Sequence, residues 1–390
     1  MKCILIDGRF IGVGDSIGRY TLELLANILE LDRENEYTLL VRPAGLARIQ
    51  DSGFRIKLNK RNLKIEVLDV THYSFAEQTK FLSYLNHKKY DLVHFTQFNH
   101  PVGYKGKYVV TIHDLILLEK CSITNWPKQI AFRHVMANAI KESEKVIAIS
   151  KLVKNDIIDK FKPKEDKIEV IYHGIDHEMF NLESKAKTEK LNAFKEQNQI
   201  AGEYLLYTGA WKKHKNLQRL FKSFEKVLNN QKKSGIVQNL QLVLVGKIDQ
   251  DEPEISAEIS RINEELGSKA ILPVGPRFDQ DLVMAYAGAL TYVIPSLAEG
   301  FGWPPLEAMA CGTPVIASNA SCIPEILGDA AEYFDPHDTN SIAESIEKIV
   351  QDGRLRSELT EKGLVQSAKY NWAETAQKTL QVYRDCLTNI

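Results

Sequence analysis

Pro295-Ser-Leu-Ala-Glu299-Gly300-Phe301-Gly302-Trp303-Pro304-Pro305-Leu-Glu307-Ala-Met-Ala-Cys311-Gly312-Thr-Pro-Val315 is the most informative stretch of this 390-residue chain. It follows the short apolar run Thr291–Ile294, which reads as a strand. Pro304 and Pro305 suit the first turn of a helix, where no N–H is needed. Gly312 suits its C-terminal end. The helix is therefore short, with its N-terminus at a strand end. Gly300-Phe301-Gly302 lets the backbone come close to a ligand with N–H groups outward. A loop of this kind joined to a helix N-terminus is a ready anion site. Glu299 in the loop and Glu307, expected in the first helical turn, flank it. A carboxylate only accepts hydrogen bonds. Beside a phosphate both would repel it, so they fit hydroxyl donors, and sugar hydroxyls suit. The plainer account is that Glu307 complements the helix dipole and Glu299 is a solvated loop acid.

Working outward, the pattern repeats. Cys3–Ile6, Tyr37–Val41, Ile65–Val70, Asp91–Phe95, Tyr108–Ile112, Lys145–Ile149 and Ile168–Tyr172 read as strands, mostly separated by helix-period segments. A polar Lys/Glu-rich stretch spans Asn181–Gln199. The alternation then restarts with Leu205–Thr208, Leu240–Val245, Ile271–Val274, Thr291–Ile294, Pro314–Ala317 and Ala331–Phe334. Such alternation predicts parallel βαβ units with both sheet faces covered. Two doubly wound α/β domains follow, expected to face an interdomain cleft, with ligands beyond the carboxyl ends of the strands.

Composition excludes several classes. Hydrophobic residues make up 44% and charged residues 26%, so a disordered or fibrous chain is ruled out. Net charge is −1, so a basic footprint for nucleic acid is absent. Five scattered cysteines, Cys3, Cys121, Cys311, Cys322 and Cys386, form no Cys-x-x-Cys and point to a reducing cytoplasm. No apolar run approaches membrane-spanning length, and Met1 leads straight into Cys3–Ile6, too short for a secretory segment.

Other strand ends carry chemistry. After Leu205–Thr208 comes Gly209-Ala-Trp-Lys212-Lys213-His214-Lys215-Asn216. Asn216 is a natural N-cap. Cations before a helix N-terminus oppose the macrodipole and make sense if they meet an anion; a solvated basic loop is the alternative. Gly8, Gly12, Gly14 and Gly18 crowd the first strand end, where a dinucleotide fingerprint would sit. The second strand ends Val41-Arg42-Pro43, without the acid an NAD site needs. His113-Asp114 ends Tyr108–Ile112, while His94, His100 and His173 read as packing or loop residues. The histidines lack ligand spacing, so no metal site is expected. Asp249-Gln-Asp251 and Asp279-Gln-Asp281 match the Asp-x-Asp metal motif of the GT-A glycosyltransferase fold, but the two alternating halves do not suit that fold.

Glu299 and Glu307, separated by seven residues in Glu-Gly-Phe-Gly-x-Pro-Pro-Leu-Glu-Ala-Met-Ala-Cys-Gly-Thr-Pro-Val, resemble the signature of the retaining glycosyltransferases of family four, which have the GT-B fold. Lys145-Val-Ile-Ala-Ile-Ser150, His173-Gly-Ile-Asp176, Leu206-Tyr-Thr-Gly209 and Ile323-Pro-Glu325 also resemble family segments. The resemblance implies residues 1–180 as the acceptor-side domain, 181–202 as a linker and 203–371 as the nucleotide-sugar domain. Residues 372–390 would form a terminal helix returning to the first domain. It casts Glu307 on the donor ribose and Glu299 on the transferred sugar. Gly300, Phe301 and Gly302 hold that sugar and its phosphate through their amides, and Lys215 meets the pyrophosphate. Gly14 and Gly209 line the donor site, and His113 approaches the transferred sugar. Trp303 replaces the usual Leu or Ile, and His214 and Ala210 stand where many members carry an Arg.

The resulting expectation is a retaining, metal-independent hexosyltransferase without a cofactor. It would use a GDP- or UDP-linked sugar and a glycan or lipid-linked acceptor, with no nucleic acid. A nucleotide-sugar epimerase or a binding module on the same fold is the alternative. The run Phe54-Arg55-Ile-Lys57-Leu-Asn-Lys60-Arg61-Asn-Leu63-Lys64, basic and apolar in turn, admits peripheral contact with an anionic membrane at its cytoplasmic face.

Overall fold

The computed structural model describes residues 1–12, 15–50, 58, 60–118, 126–234, 239–247 and 252–388. Gly14, Lys57, Cys121 and the Asp249–Asp251 motif lie outside the described residues, as does most of the basic run at 54–59. The chain divides into two compact units, Met1–Gly174 with Asn371–Ile390, and Ile175–Tyr370.

The first unit holds one parallel sheet in the order β3-β2-β1-β4-β5-β6-β7. Its strands are β1 (Cys3–Asp7), β2 (Glu36–Val41), β3 (Leu63–Val67), β4 (Leu92–Phe95), β5 (Tyr108–Ile112), β6 (Lys145–Ala148) and β7 (Ile168–Val170). The second unit has the order β10-β9-β8-β11-β12-β13. These are β8 (Glu203–Thr208), β9 (Leu240–Val245), β10 (Ile271–Gly275), β11 (Thr291–Ile294), β12 (Val315–Ser318) and β13 (Ala331–Phe334). Every strand pair is parallel. The central strands β4, β5, β9, β11 and β12 are buried at every residue, because helices cover both faces and leave no solvent side for polar alternation.

Strand order reverses between β1 and β4 in one unit and between β8 and β11 in the other. A doubly wound sheet opens a crevice at that switch point, beyond the strand carboxyl ends. Pro295–Trp303 follows β11 and Gly209–Asn216 follows β8, so both loops singled out from the sequence meet at the switch point of the second unit.

The terminal helix Trp372–Thr388 belongs to the first unit and packs against the helix Asp15–Leu31. Thr375 Oγ1 donates to Tyr172 O at 2.8 Å, Lys107 Nζ donates to Cys386 O at 3.0 Å, and Tyr383 Oη lies 2.6 Å from His94 Nδ1. The helix start passes so close to Gly174 that a Cβ there would lie 2.2 Å from Trp372 N.

Of the basic run, Leu58 and residues 60–64 are described. Lys60, Arg61 and Asn62 precede β3, and Tyr37 N donates to Asn62 O at 2.8 Å. They therefore occupy the amino-terminal edge of the sheet, the end away from the strand-end crevice where an acceptor was expected. Leu58 packs inward. Arg33, Lys60, Arg61 and Asn62 line a cavity of about 410 Å³ there. Glu30 pairs with both Lys60 and Arg33, cancelling part of the charge.

Candidate active site

Gly209 leaves β8 with φ +143°, and its N–H donates to Val245 O at 2.9 Å. Gly246 at the end of β9 has φ +148°, and a Cβ there would lie 1.9 Å from Gly209 O. Two strand ends thus approach at a distance only glycine permits. Trp211 is fully buried beneath the loop, and Lys213–Lys215 form one 3₁₀ turn.

Asn216 precedes the helix Leu217–Lys233, but its side chain makes no N-cap bond. The backbone there is left-handed (φ +61°), which turns the amide away from the N–H groups of its own helix. Asn216 Nδ2 instead donates to Pro295 O at 3.0 Å and Pro336 O at 2.8 Å, tying the loop to the end of β11. Leu297 N donates to His214 O at 2.8 Å, a second tie between the same loops.

These ties bring Lys215 to Glu299. Lys215 Nζ lies 2.6 Å from Glu299 Oε1 and 2.8 Å from Oε2, and both side chains are largely buried. Burial alone would raise the Glu299 pKa, but the Lys215 ammonium overrides it and holds the carboxyl below its usual range. Ser321 anchors the backbone at Glu299, accepting from Glu299 N at 3.0 Å and donating to Glu299 O at 2.9 Å. His214 is driven down to about 4, by burial first and then by Lys215, so it is neutral near pH 7 and supplies no second cation. Lys213 is exposed.

The helix Trp303–Ala310 carries both prolines in its first turn and ends before Gly312 at φ +73°, as its sequence predicts. Gly302 has φ +100° at the N-cap. Glu307 lies one turn later than expected. It is the fifth helical residue and is buried, so the dipole account fails for it. Tyr286 Oη donates to Glu307 Oε2 at 2.8 Å. The Phe301 ring is buried against Tyr370, so this residue can offer a ligand only its backbone, whereas Trp303 is partly exposed.

In the first unit, His113 Nε2–H donates to Thr96 O at 2.8 Å, and its ring packs edge-on to Tyr20. Burial lowers its pKa to about 4. The imidazole is therefore neutral with Nδ1 carrying the lone pair, an acceptor and not an acid. His94 and His100 are buried and bonded to protein partners, and His173 is buried among aromatic rings. At the carboxyl end of β1, Arg9 is fully buried between Asp7 (2.8 and 2.9 Å) and Glu77 (2.9 Å). Arg9 Nη1, His72 Nε2 and Asn99 Oδ1 are buried without a hydrogen-bond partner near this strand end.

Sequence reading missed Gly246, Ser321, Tyr286 and Thr208. Gly246 ends an apolar strand and could have been marked by that position. The other three act through side chains that only the fold brings near the site. Among the described residues, no group of three or more His, Cys, Asp or Glu could hold a metal ion. No described helix is long and apolar enough to cross a membrane.

The family models "Glycosyltransferase Family 4" and "Glycosyl transferases group 1" match residues 18–179 and 189–365. The chain belongs to these group 1, family 4 glycosyltransferases. It is 30% identical to the serotype-specific mannosyltransferase WbdA of Escherichia coli over 70% of its own length and 33% of the relative's. It is 28% identical to the O-antigen chain mannosyltransferase RfbU of Salmonella typhimurium over 65% of its length and 64% of that protein's. The chain thus spans about a third of the WbdA proteins it matches. The solved structure of Anabaena Alr3699/HepE with UDP and glucose matches at TM-score 0.76 and 16% identity, covering 99% of this chain and all of that one. Sucrose-phosphate synthase of Thermosynechococcus elongatus matches at TM-score 0.73 and 19% identity, covering 99% of both chains. The fold is GT-B, with two parallel-sheet α/β units.

Proposed function

We propose that this chain is a retaining hexosyltransferase that takes a mannose- or glucose-type sugar from a GDP- or UDP-linked donor and passes it to a glycan or lipid-linked acceptor. The Lys215–Glu299 pair at the switch point of the second unit carries the reading. A departing nucleoside diphosphate needs fixed positive charge, and Lys215 is already held in place by Glu299. Groups oriented before the reaction stabilise developing charge without reorganising. The Gly300–Gly302 amides and the helix N-terminus add donors to the same phosphates. Glu299 accepts from hydroxyls of the transferred sugar, and Glu307 accepts from the ribose. The names of the relatives favour mannose.

In the transfer, the bond from the anomeric carbon to phosphate oxygen breaks, and the bond to the acceptor oxygen forms on the same face. The acceptor proton passes to the departing phosphate. Family membership is the support for retention. The acceptor falls to the first unit. His113 offers Nδ1 to a sugar hydroxyl. The enzyme works without a metal and at the cytoplasmic side. Arg33, Lys60 and Arg61 support a weak contact with anionic lipid.

The test is release of nucleoside diphosphate from a panel of GDP- and UDP-sugars with mannosyl and glucosyl acceptors, with and without EDTA. One donor should turn over regardless of EDTA, with the product in the donor's anomeric configuration. Activity abolished by EDTA and restored by Mn²⁺, or an inverted product, contradicts the mechanism.

A further inference from the structure

A chain of hydroxyls runs beneath Glu307. Tyr286 Oη lies 2.8 Å from Glu307 Oε2 and 3.0 Å from Thr208 Oγ1, and Tyr292 Oη lies 3.3 Å from both Thr208 Oγ1 and Thr208 O. The three residues and Glu307 come from β8, the helix Asp279–Ala287, β11 and the helix Trp303–Ala310. All are buried, Thr208 the least so at 7% exposed. A carboxylate only accepts, so the single Tyr286 proton goes to Glu307. The Tyr286 oxygen must then accept from the Thr208 hydroxyl, while the single Tyr292 proton is shared between Thr208 Oγ1 and the Thr208 carbonyl. Thr208 and Tyr286 each have one proton, so the direction from Thr208 through Tyr286 to Glu307 is set. Burial raises the pKa of Tyr286 well above its ordinary value, and the nearby Glu307 raises it further, so the phenol keeps that proton.

We infer that Tyr286, backed by Thr208, is a positioning residue that fixes the rotation of the Glu307 carboxylate for the hydroxyls of the donor's ribose. This rests on the reading that places the ribose on Glu307. A hydrogen bond to a charged group inside a protein is stronger than a neutral one and directional. Held at Oε2, the carboxylate cannot turn freely, and its orientation is set before a nucleotide arrives. Packing alone would not require this arrangement. Phe in place of Tyr286 would fill the same core without the hydroxyl, and Val in place of Thr208 would do likewise.

Calorimetric titration of the full chain with GDP, UDP and their 2′,3′-dideoxy counterparts tests it. In the wild type, the preferred ribonucleotide should bind at least tenfold tighter than its dideoxy form. Tyr286→Phe should weaken the ribonucleotide about tenfold, change the dideoxy form by less than twofold, and raise the donor KM with kcat within about twofold. Equal weakening of both ligands, or no weakening of either, overturns the positioning role while leaving the ribose on Glu307. A wild type that does not tell ribose from dideoxyribose overturns the Glu307 reading and this inference together. Should Tyr286→Phe fail to fold, Thr208→Val carries the same test. It should weaken the ribonucleotide selectively by about threefold, and equal loss on both ligands again overturns the role.

Discussion

The Lys215 ammonium meets both oxygens of Glu299, at 2.6 and 2.8 Å, across a sequence separation of 84 residues. The contact joins the loops after β8 and β11, the two strands at which the sheet order reverses. Backbone ties hold the loops together independently of the ion pair, through Leu297 N on His214 O and Asn216 Nδ2 on Pro295 O. Replacing Lys215 or Glu299 should therefore remove charge without dismantling the loops.

Gly246 tests the close approach behind this loop. A Cβ at that position would sit 1.9 Å from Gly209 O, and no flexible side chain is available to yield. Gly246→Ala should lower nucleotide affinity at least tenfold and reduce the melting temperature by several degrees. Gly267, at φ +63° with nothing within 4 Å, is the control. Gly267→Ala meets only the left-handed backbone penalty, of about 1 kcal/mol, and should leave nucleotide affinity unchanged. Calorimetry and thermal unfolding of the two variants make the comparison.

Arg9 should matter chiefly for stability. Removing one partner of a buried ion network leaves uncompensated charge and costs about 3–5 kcal/mol. Arg9→Met strands Asp7 and Glu77 in the interior beside the Phe81 ring, over which the guanidinium lies at 3.9 Å. Urea unfolding should show a loss of that size, partly recovered when Asp7→Asn and Glu77→Gln are added. A loss below about 1 kcal/mol contradicts the assignment.

Acid stability follows from the buried imidazoles. Burial, the largest cause in each case, lowers His72, His113 and His214 to about 4 and His94 to about 3. The unfolded chain takes up these protons as pH falls below about 6.5, whereas the folded chain resists them until about 4. The unfolded state then binds more protons, so stability rises with pH across that window and falls on acidification. The melting temperature should be level between pH 7 and 8 and drop steadily from pH 6.5 to 4.5. A flat profile down to pH 5 contradicts the burial assigned to these histidines. The pH profile of kcat/KM should likewise carry no His113 ionisation between pH 5 and 8.

The sheets were legible in the sequence because doubly buried parallel strands are short unbroken apolar runs. Every strand of the structure overlaps one of those runs, with ends shifted by at most three residues, as at β3, Leu63–Val67. The strand-end positions of Glu299, Lys215 and Gly302 were legible because each loop directly follows its strand, whereas the pairing of Lys215 with Glu299, 84 residues apart, was not. Glu307 was misplaced by a turn, since its role depends on which helix face meets Tyr286. Asn216 was misassigned because a left-handed backbone turns a capping side chain away from its own helix. The hydroxyl chain was not legible, because Thr208, Tyr286 and Tyr292 read as ordinary core residues until the fold sets them side by side.

The most direct test of the central claim is steady-state transfer from the preferred nucleotide sugar by the wild type, Lys215→Ala and Glu299→Gln, with unfolding curves recorded in parallel. The account predicts that turnover falls at least a hundredfold in both variants while each unfolds cooperatively within a few degrees of the wild type. Transfer within threefold of the wild type in either folded variant would contradict it.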